Sequence, residues 1–129
     1  MPHILVIEDD LEFRDPLVKT LTNDGHTVSI AGDGVAALLL LKAIRPDLII
    51  TNILMPNMDG LETIKELSRL GNAPPIITMS GGPPILTPQS SPYPTAVTGL
   101  KVTLAKPFSR ADLRRAIQES LPDQARHRN

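Results

Sequence analysis

Apolar residues in this chain fall into short continuous runs, separated by segments in which they recur every three or four positions. His3-Ile4-Leu5-Val6-Ile7 is the first run; rich in branched side chains and stopping abruptly at Glu8-Asp9-Asp10, it predicts a strand buried on both faces. From Leu11 to about Asn23, Phe13, Leu17 and Leu21 follow a helical spacing, and Asn23-Asp24-Gly25 supplies the stop. Pro16 lies inside this helix, where it removes one backbone donor at a cost of about 3 kcal/mol unless the first turn begins later. His26 to Ala31 reads as a second, alternating strand, followed by Gly32-Asp33-Gly34, in which Asp33 is placed to cap a helix from Val35 to Ile44. Leu38 to Leu41 are consecutive leucines, more than one helix face buries, so one or two are expected to be exposed or to meet a partner.

Arg45-Pro46 ends that helix and introduces a third apolar strand, Leu48 to Ile53, which runs into a loop punctuated by Pro56 and Gly60 and presents Asn52 where strand becomes loop. Leu61, Ile64, Leu67 and Leu70 predict an amphipathic helix from Leu61 to Leu70, closed by Gly71-Asn72. Pro75 to Met79 is a fourth buried strand ending in Ser80-Gly81-Gly82. Seven of the thirteen prolines then lie between Pro74 and Pro94, so Pro83 to Pro94 is expected to be a loop rather than a helix, with at most a short helical remnant at Thr95 to Gly99. Lys101 to Leu104 gives a fifth strand, followed by Lys106-Pro107; Ser109 caps a last helix, Arg110 to Leu121, with Asp112 completing a capping box and Leu113, Ile117 and Leu121 facing the core. Strands alternating with helices predict an α/β fold, a doubly wound parallel sheet covered on both faces.

Composition narrows the classes. At 129 residues the chain has room for one domain, expected over residues 1–122 with a polar tail at 123–129. Charged residues make up 21% and the formal net charge is -1, which gives no basic surface for nucleic acid; with only Phe13, Tyr93 and Phe108 aromatic, base stacking is not supported either. Cysteine is absent, excluding disulfides and thiolate chemistry and fitting a reducing compartment. No apolar run approaches the roughly 20 residues that span a bilayer, and Met1-Pro2-His3 does not open a signal peptide, so a cytoplasmic protein without membrane contact is expected.

In doubly wound sheets, ligands bind where the carboxyl ends of the strands open on a switch point. Glu8 and Asp9 end the first strand, Asn52 the third, Ser80 the fourth and Lys106 the fifth, so all five are expected in one cleft. Singly, each has an ordinary explanation as a turn, cap or surface residue; five at successive strand ends do not. Two acids with an oxygen from the neighbouring strand suit a hard cation such as Mg2+, and a lysine with a hydroxyl opposite would complete the cradle of a phosphoryl group.

Through Ile4-Leu5-Val6-Ile7-Glu8-Asp9-Asp10, Pro46-Asp47-Leu48-Ile49-Ile50, Met55-Pro56-Asn57-Met58-Asp59-Gly60, Ile76-Ile77-Thr78-Met79-Ser80-Gly81 and Leu104-Ala105-Lys106-Pro107-Phe108, the chain resembles the receiver domains of two-component response regulators over nearly its whole length. The resemblance implies a flavodoxin-like sheet of strand order 2-1-3-4-5. It implies Glu8 and Asp9 as metal ligands alongside position 52 and the Leu54 carbonyl, Ser80 as the switch hydroxyl and Lys106 as the phosphate-sensing lysine. It also implies a sensor histidine kinase or phosphotransfer protein as phosphodonor and a downstream protein target.

Three departures qualify this. The phosphoacceptor aspartate of the family is replaced by Asn52, whose uncharged amide does not form an acyl phosphate. Removing that charge relieves a repulsion of about 4 kcal/mol per pair at about 4 Å, so Mg2+ binding is expected to be weak or absent. Thr103 stands where the family carries a rotating aromatic, and the proline-rich loop replaces most of a now degenerate fourth helix. The expectation is a single-domain receiver of a phosphorelay, not phosphorylatable as written; the alternative is a pseudo-receiver acting through protein contacts alone. An enzyme is not expected: no glycine-rich phosphate turn follows the first strand, no nucleophilic carboxylate is clearly placed, and His3, His26 and His127 are scattered.

Overall fold

In the computed structural model, residues 2–52, 65–66, 69, 74–80 and 100–121 are described, with backbone only at 80 and 100–103. The strands are β1 (His3–Ile7), β2 (Thr27–Ala31), β3 (Leu48–Asn52), β4 (Ile76–Ser80) and β5 (Leu100–Ala105). The described helices are α1 (Leu11–Asn23), α2 (Gly34–Leu40) and α3 (Arg110–Ser120). All strands are parallel, in the order β2-β1-β3-β4-β5 expected of a flavodoxin-like sheet.

Alternation along the strands sorts the core into two layers. Ile4, Val6, Leu48, Ile50, Ile77, Met79 and Leu104 point to the face covered by α1 and α3, where they meet Leu17, Leu21, Leu113 and Ile117. Leu5, Ile7, Ile49 and Ile76 point to the opposite face, where Ala37 of α2 packs. Each fully buried aliphatic side chain contributes about 1.5–3 kcal/mol, and the near-continuous apolar runs are what a sheet buried on both faces demands.

The helix ends follow their local chemistry. Asp10 caps α1 by accepting from the Glu12 amide at 3.0 Å, and the helix starts at Leu11 and carries Pro16 within it rather than starting after it. Asp33 caps α2 through the Ala36 amide at 2.8 Å. Ser109 and Asp112 form the anticipated capping box of α3.

The helix expected to reach Ile44 stops at Leu40: past that point the chain tightens into turns in which Lys42 donates to the Leu39 carbonyl and Ala43 to that of Leu40. Of the leucine run, Leu38, Leu40 and Leu41 pack against the α2 core and Leu39 is left 60% exposed. Thr27 to Ala31 also lacks the clean alternation expected of it, since Val28 and Ser29 are both half-buried. The helix expected over residues 61–70 lies mostly outside the described residues, as do the loop 83–94, the remnant 95–99 and the tail; Lys65 and Glu66, within that span, are helical.

At the end of the sheet away from the strand carboxyl ends, Arg114 of α3 clamps Asp24 with Nε at 3.0 Å and a terminal nitrogen at 2.7 Å. These hydrogen bonds hold the Asp24 carboxyl below its ordinary range. Nearby, burial pushes the His26 imidazole below its ordinary value of 6.5 against the pull of Asp24, and His26 Nδ1 is buried with no hydrogen-bond partner among the described residues. Protonation makes both ring nitrogens donors, so the folded chain resists it. Between the lowered folded pKa and 6.5 the unfolded chain binds more protons, and stability therefore rises with pH across that window. Urea midpoints should fall as pH is lowered from 7 through 6.5 and below, and His26→Gln should remove that part of the slope; an unchanged slope would contradict the assignment.

Candidate functional site

The two-residue period that buries Ile4 and Val6 carries Glu8 to the same face one step further on, and the same step takes Ile50 to Asn52 and Leu104 to Lys106. Parallel register does the rest: Ile7 lies opposite Thr51, so the next positions, Glu8 and Asn52, are neighbours. The Glu8 amide donates to the Ala31 carbonyl at 3.1 Å, fixing its backbone to the end of β2. Its carboxylate is completely buried.

A buried carboxylate without partners would cost several kcal/mol. Lys106 Nζ donates to Oε1 at 2.7 Å, while Asn52 Nδ2 donates to Oε2 at 3.0 Å and the Asp10 amide to the same oxygen at 3.3 Å. Lys106 is itself largely enclosed, with 17% of its side chain exposed, and Nζ stands 3.9 Å from the centroid of the Phe13 ring. Phe13 in turn meets Phe108 edge to face, with centroids 5.7 Å apart and planes at 79°. The Lys106–Pro107 peptide bond is cis.

Of the residues singled out from the sequence, Asn52 and Lys106 thus each bond to Glu8, and Asp9 stands exposed beside Glu8. Ser80 closes β4 opposite Ala105, next to Lys106 in the chain, and is described in its backbone only. Leu54 lies outside the described residues.

Two groups were not anticipated. Asp10 serves both as helix cap and as amide donor to Glu8, a role foreshadowed by an acidic residue directly before a helical spacing. Phe13 was expected only as a core position; it does pack against the core, but it also covers the lysine. Nor was Lys106 expected on the acid itself rather than across from it. Among the described residues, no group of three or more His, Asp or Glu side chains is placed to hold a metal ion, and no helix is long and apolar enough to cross a membrane. Chemically, the site is one buried negative charge balanced by one ammonium and capped by an amide, with its hydrogen bonds made within the protein.

Comparison with known proteins gives this geometry its setting. The family of the response regulator receiver domain matches residues 4–118. Response regulator MprA of Mycobacterium sp. (strain KMS) is 36% identical over 132 residues, spanning 93% of this chain and 54% of that protein. The protein of the same name from Mycobacterium ulcerans is 39% identical over 77 residues, or 60% of this chain and 33% of that one. The chain therefore spans about half the length, or less, of these relatives. Among solved structures, the chemotaxis protein CheY4 of Vibrio cholerae superposes with a TM-score of 0.81 at 28% identity, covering 94% of this chain and 99% of that one. The receiver domain of sensor histidine kinase PA1611 from Pseudomonas aeruginosa, solved with a magnesium ion coordinated in its active site cleft, gives 0.79 at 26% identity over 92% and 96% of the two chains. This chain belongs to the response regulator receiver domain family, the receiver modules of two-component signalling.

Proposed function

We propose that this receiver, occupying residues 1–122 ahead of a polar tail, belongs to a phosphorelay but, with Asn52 at the phosphoacceptor position, does not accept a phosphoryl group as written. One observation carries the reading: the position-52 side chain is an amide that donates to Glu8 at 3.0 Å, so it caps the buried acid instead of offering a carboxylate to phosphorus. A carboxylate oxygen attacks phosphorus to give an acyl phosphate; an amide with its nitrogen lone pair delocalised does not.

Magnesium fits this site poorly. Receiver domains bind Mg2+ through acidic side chains, and here that role falls to Glu8, Asp9, the Asn52 amide oxygen and the Leu54 carbonyl. Both Glu8 oxygens are engaged by Lys106, Asn52 and Asp10. A cation would have to displace at least one of these donors, with one formal charge fewer to attract it than an aspartate at 52 would supply. Weak binding follows. Ser80 and Lys106 keep the roles of switch hydroxyl and phosphate-sensing lysine only in a chain whose acceptor is restored.

The partners in this reading are proteins: a sensor histidine kinase or phosphotransfer protein on one side and a downstream target on the other, with no nucleic-acid contact, in the cytoplasm. A second reading, a pseudo-receiver that works through protein contacts alone, draws support from the self-satisfied Glu8 network and from Leu39, exposed on α2. The two readings part on Asn52→Asp: with Mg2+ and a small phosphodonor, the first expects that variant to gain an acyl phosphate and the second expects none.

A further inference from the structure

We propose that Phe13 is a positioning residue for Lys106, a latch that keeps the ammonium on Glu8. Lys106 is the first residue of the loop that leads from β5 to α3, and its long, flexible side chain is free to reach in several directions from that point. In this structure it takes one: Nζ is 2.7 Å from Glu8 Oε1 and 3.9 Å from the Phe13 ring centroid, so a carboxylate and the electron-rich face of an aromatic ring hold the same cation. The ring is not free to swing away. Phe108 meets it edge to face at 5.7 Å, and Phe13 and Phe108 both pack against the core that α1 and α3 share. Phe13 therefore couples the first turn of α1 to the lysine that follows β5.

Among the described residues, Glu8 is the acceptor of the ammonium's hydrogen bond. The Phe13 ring adds an apolar surface that still attracts charge against the same ammonium, which favours the enclosed ion pair over a solvated lysine. This deepens the site reading above, and only one consequence depends on it: a lysine latched to Glu8 is withheld from any anion at position 52. The latch itself is a matter of Lys106 accessibility, whatever position 52 does.

Amine acylation of the intact protein, read residue by residue by peptide mass spectrometry, tests it, with the exposed Lys19 and Lys42 as internal references. In the unaltered chain Lys106 should react more slowly than either. Phe13→Leu, which keeps an apolar side chain of similar reach, should raise the relative rate at Lys106 about three- to tenfold. Phe13→Tyr, which keeps the ring face, should leave it unchanged. Phe13 also lines an open depression of about 200 Å3 with Glu12 and Phe108. Phe108→Leu, which leaves the cation-binding ring in place but unbraced, should raise the rate by less. A Lys106 rate unmoved by Phe13→Leu in protein that unfolds cooperatively, or raised equally by Phe13→Tyr, would overturn the proposal. Because the readout is lysine reactivity, failure here leaves the reading of Asn52 intact, and failure of that reading leaves this one intact.

Discussion

Lys106→Met should destabilise the protein by about 3–5 kcal/mol, the loss typical when one partner of a buried ion pair is removed. The substitution keeps much of the side-chain volume but takes away the cation that, among the described residues, is bonded to a carboxylate with no solvent exposure. The Asn52 amide and the Asp10 amide remain, and neither carries a charge to balance that of Glu8. Because 17% of the lysine side chain is exposed, water reaches part of the vacated space, and the loss should lie toward the lower end of the range.

Glu8→Gln in the same chain removes the orphaned charge, so the double variant should recover most of the stability lost by Lys106→Met, as expected when the penalty resides in an unpaired ion rather than in a missing contact. Urea denaturation of the four chains measures the coupling. A loss below about 1 kcal/mol for Lys106→Met, or no recovery in the double variant, would show that Glu8 does not depend on this lysine.

Asn52→Asp should also cost stability in the absence of divalent cation, by about 2–4 kcal/mol, even though in the proposed reading it restores the phosphoacceptor. The amide hydrogen bond to Glu8, 3.0 Å long, is replaced by two carboxylates facing each other at that distance. Like charges about 4 Å apart repel by about 4 kcal/mol at an effective dielectric near 20, and the lost hydrogen bond adds about 1 kcal/mol; part of this is relieved if Lys106 comes to lie between the two acids. Millimolar Mg2+ should return much of the loss to Asn52→Asp by binding the folded state, and should change the unaltered chain little. Thermal unfolding in chelator and in Mg2+ decides the matter. An Asn52→Asp chain as stable as the parent in chelator would mean that the amide is not relieving charge at this site.

These effects bear on what could be read from residues alone. The sheet was legible because its strands are buried on both faces, and runs such as Ile4 to Ile7 and Leu48 to Ile50 leave little room for another assignment. The end of α2 was not, since Ala43 and Ile44 continue the apolar pattern while the backbone turns tighter ahead of Pro46. Residues brought to the strand ends were identifiable from the order of strands, and their shared face follows from the step of two that joins Val6 to Glu8, Ile50 to Asn52 and Leu104 to Lys106.

What the step of two does not reveal is partner choice. That Lys106 lies on Glu8, 98 residues away in the chain, depends on side-chain torsions and on the ring of Phe13, whose helical spacing marks it only as a core position. Half-buried His26 was equally hidden: nothing around it in the chain distinguishes an imidazole with an enclosed Nδ1 from a fully exposed one beside Asp24.

Intact-mass spectrometry after incubation with Mg2+ and a small acyl-phosphate donor tests the central claim most directly. The protein with Asn52 should gain no phosphoryl group, and Asn52→Asp should gain one that hydroxylamine removes, as an acyl phosphate requires. A hydroxylamine-labile phosphoryl group on the unaltered chain, or an Asn52→Asp chain that folds and binds Mg2+ yet takes none, would contradict the account.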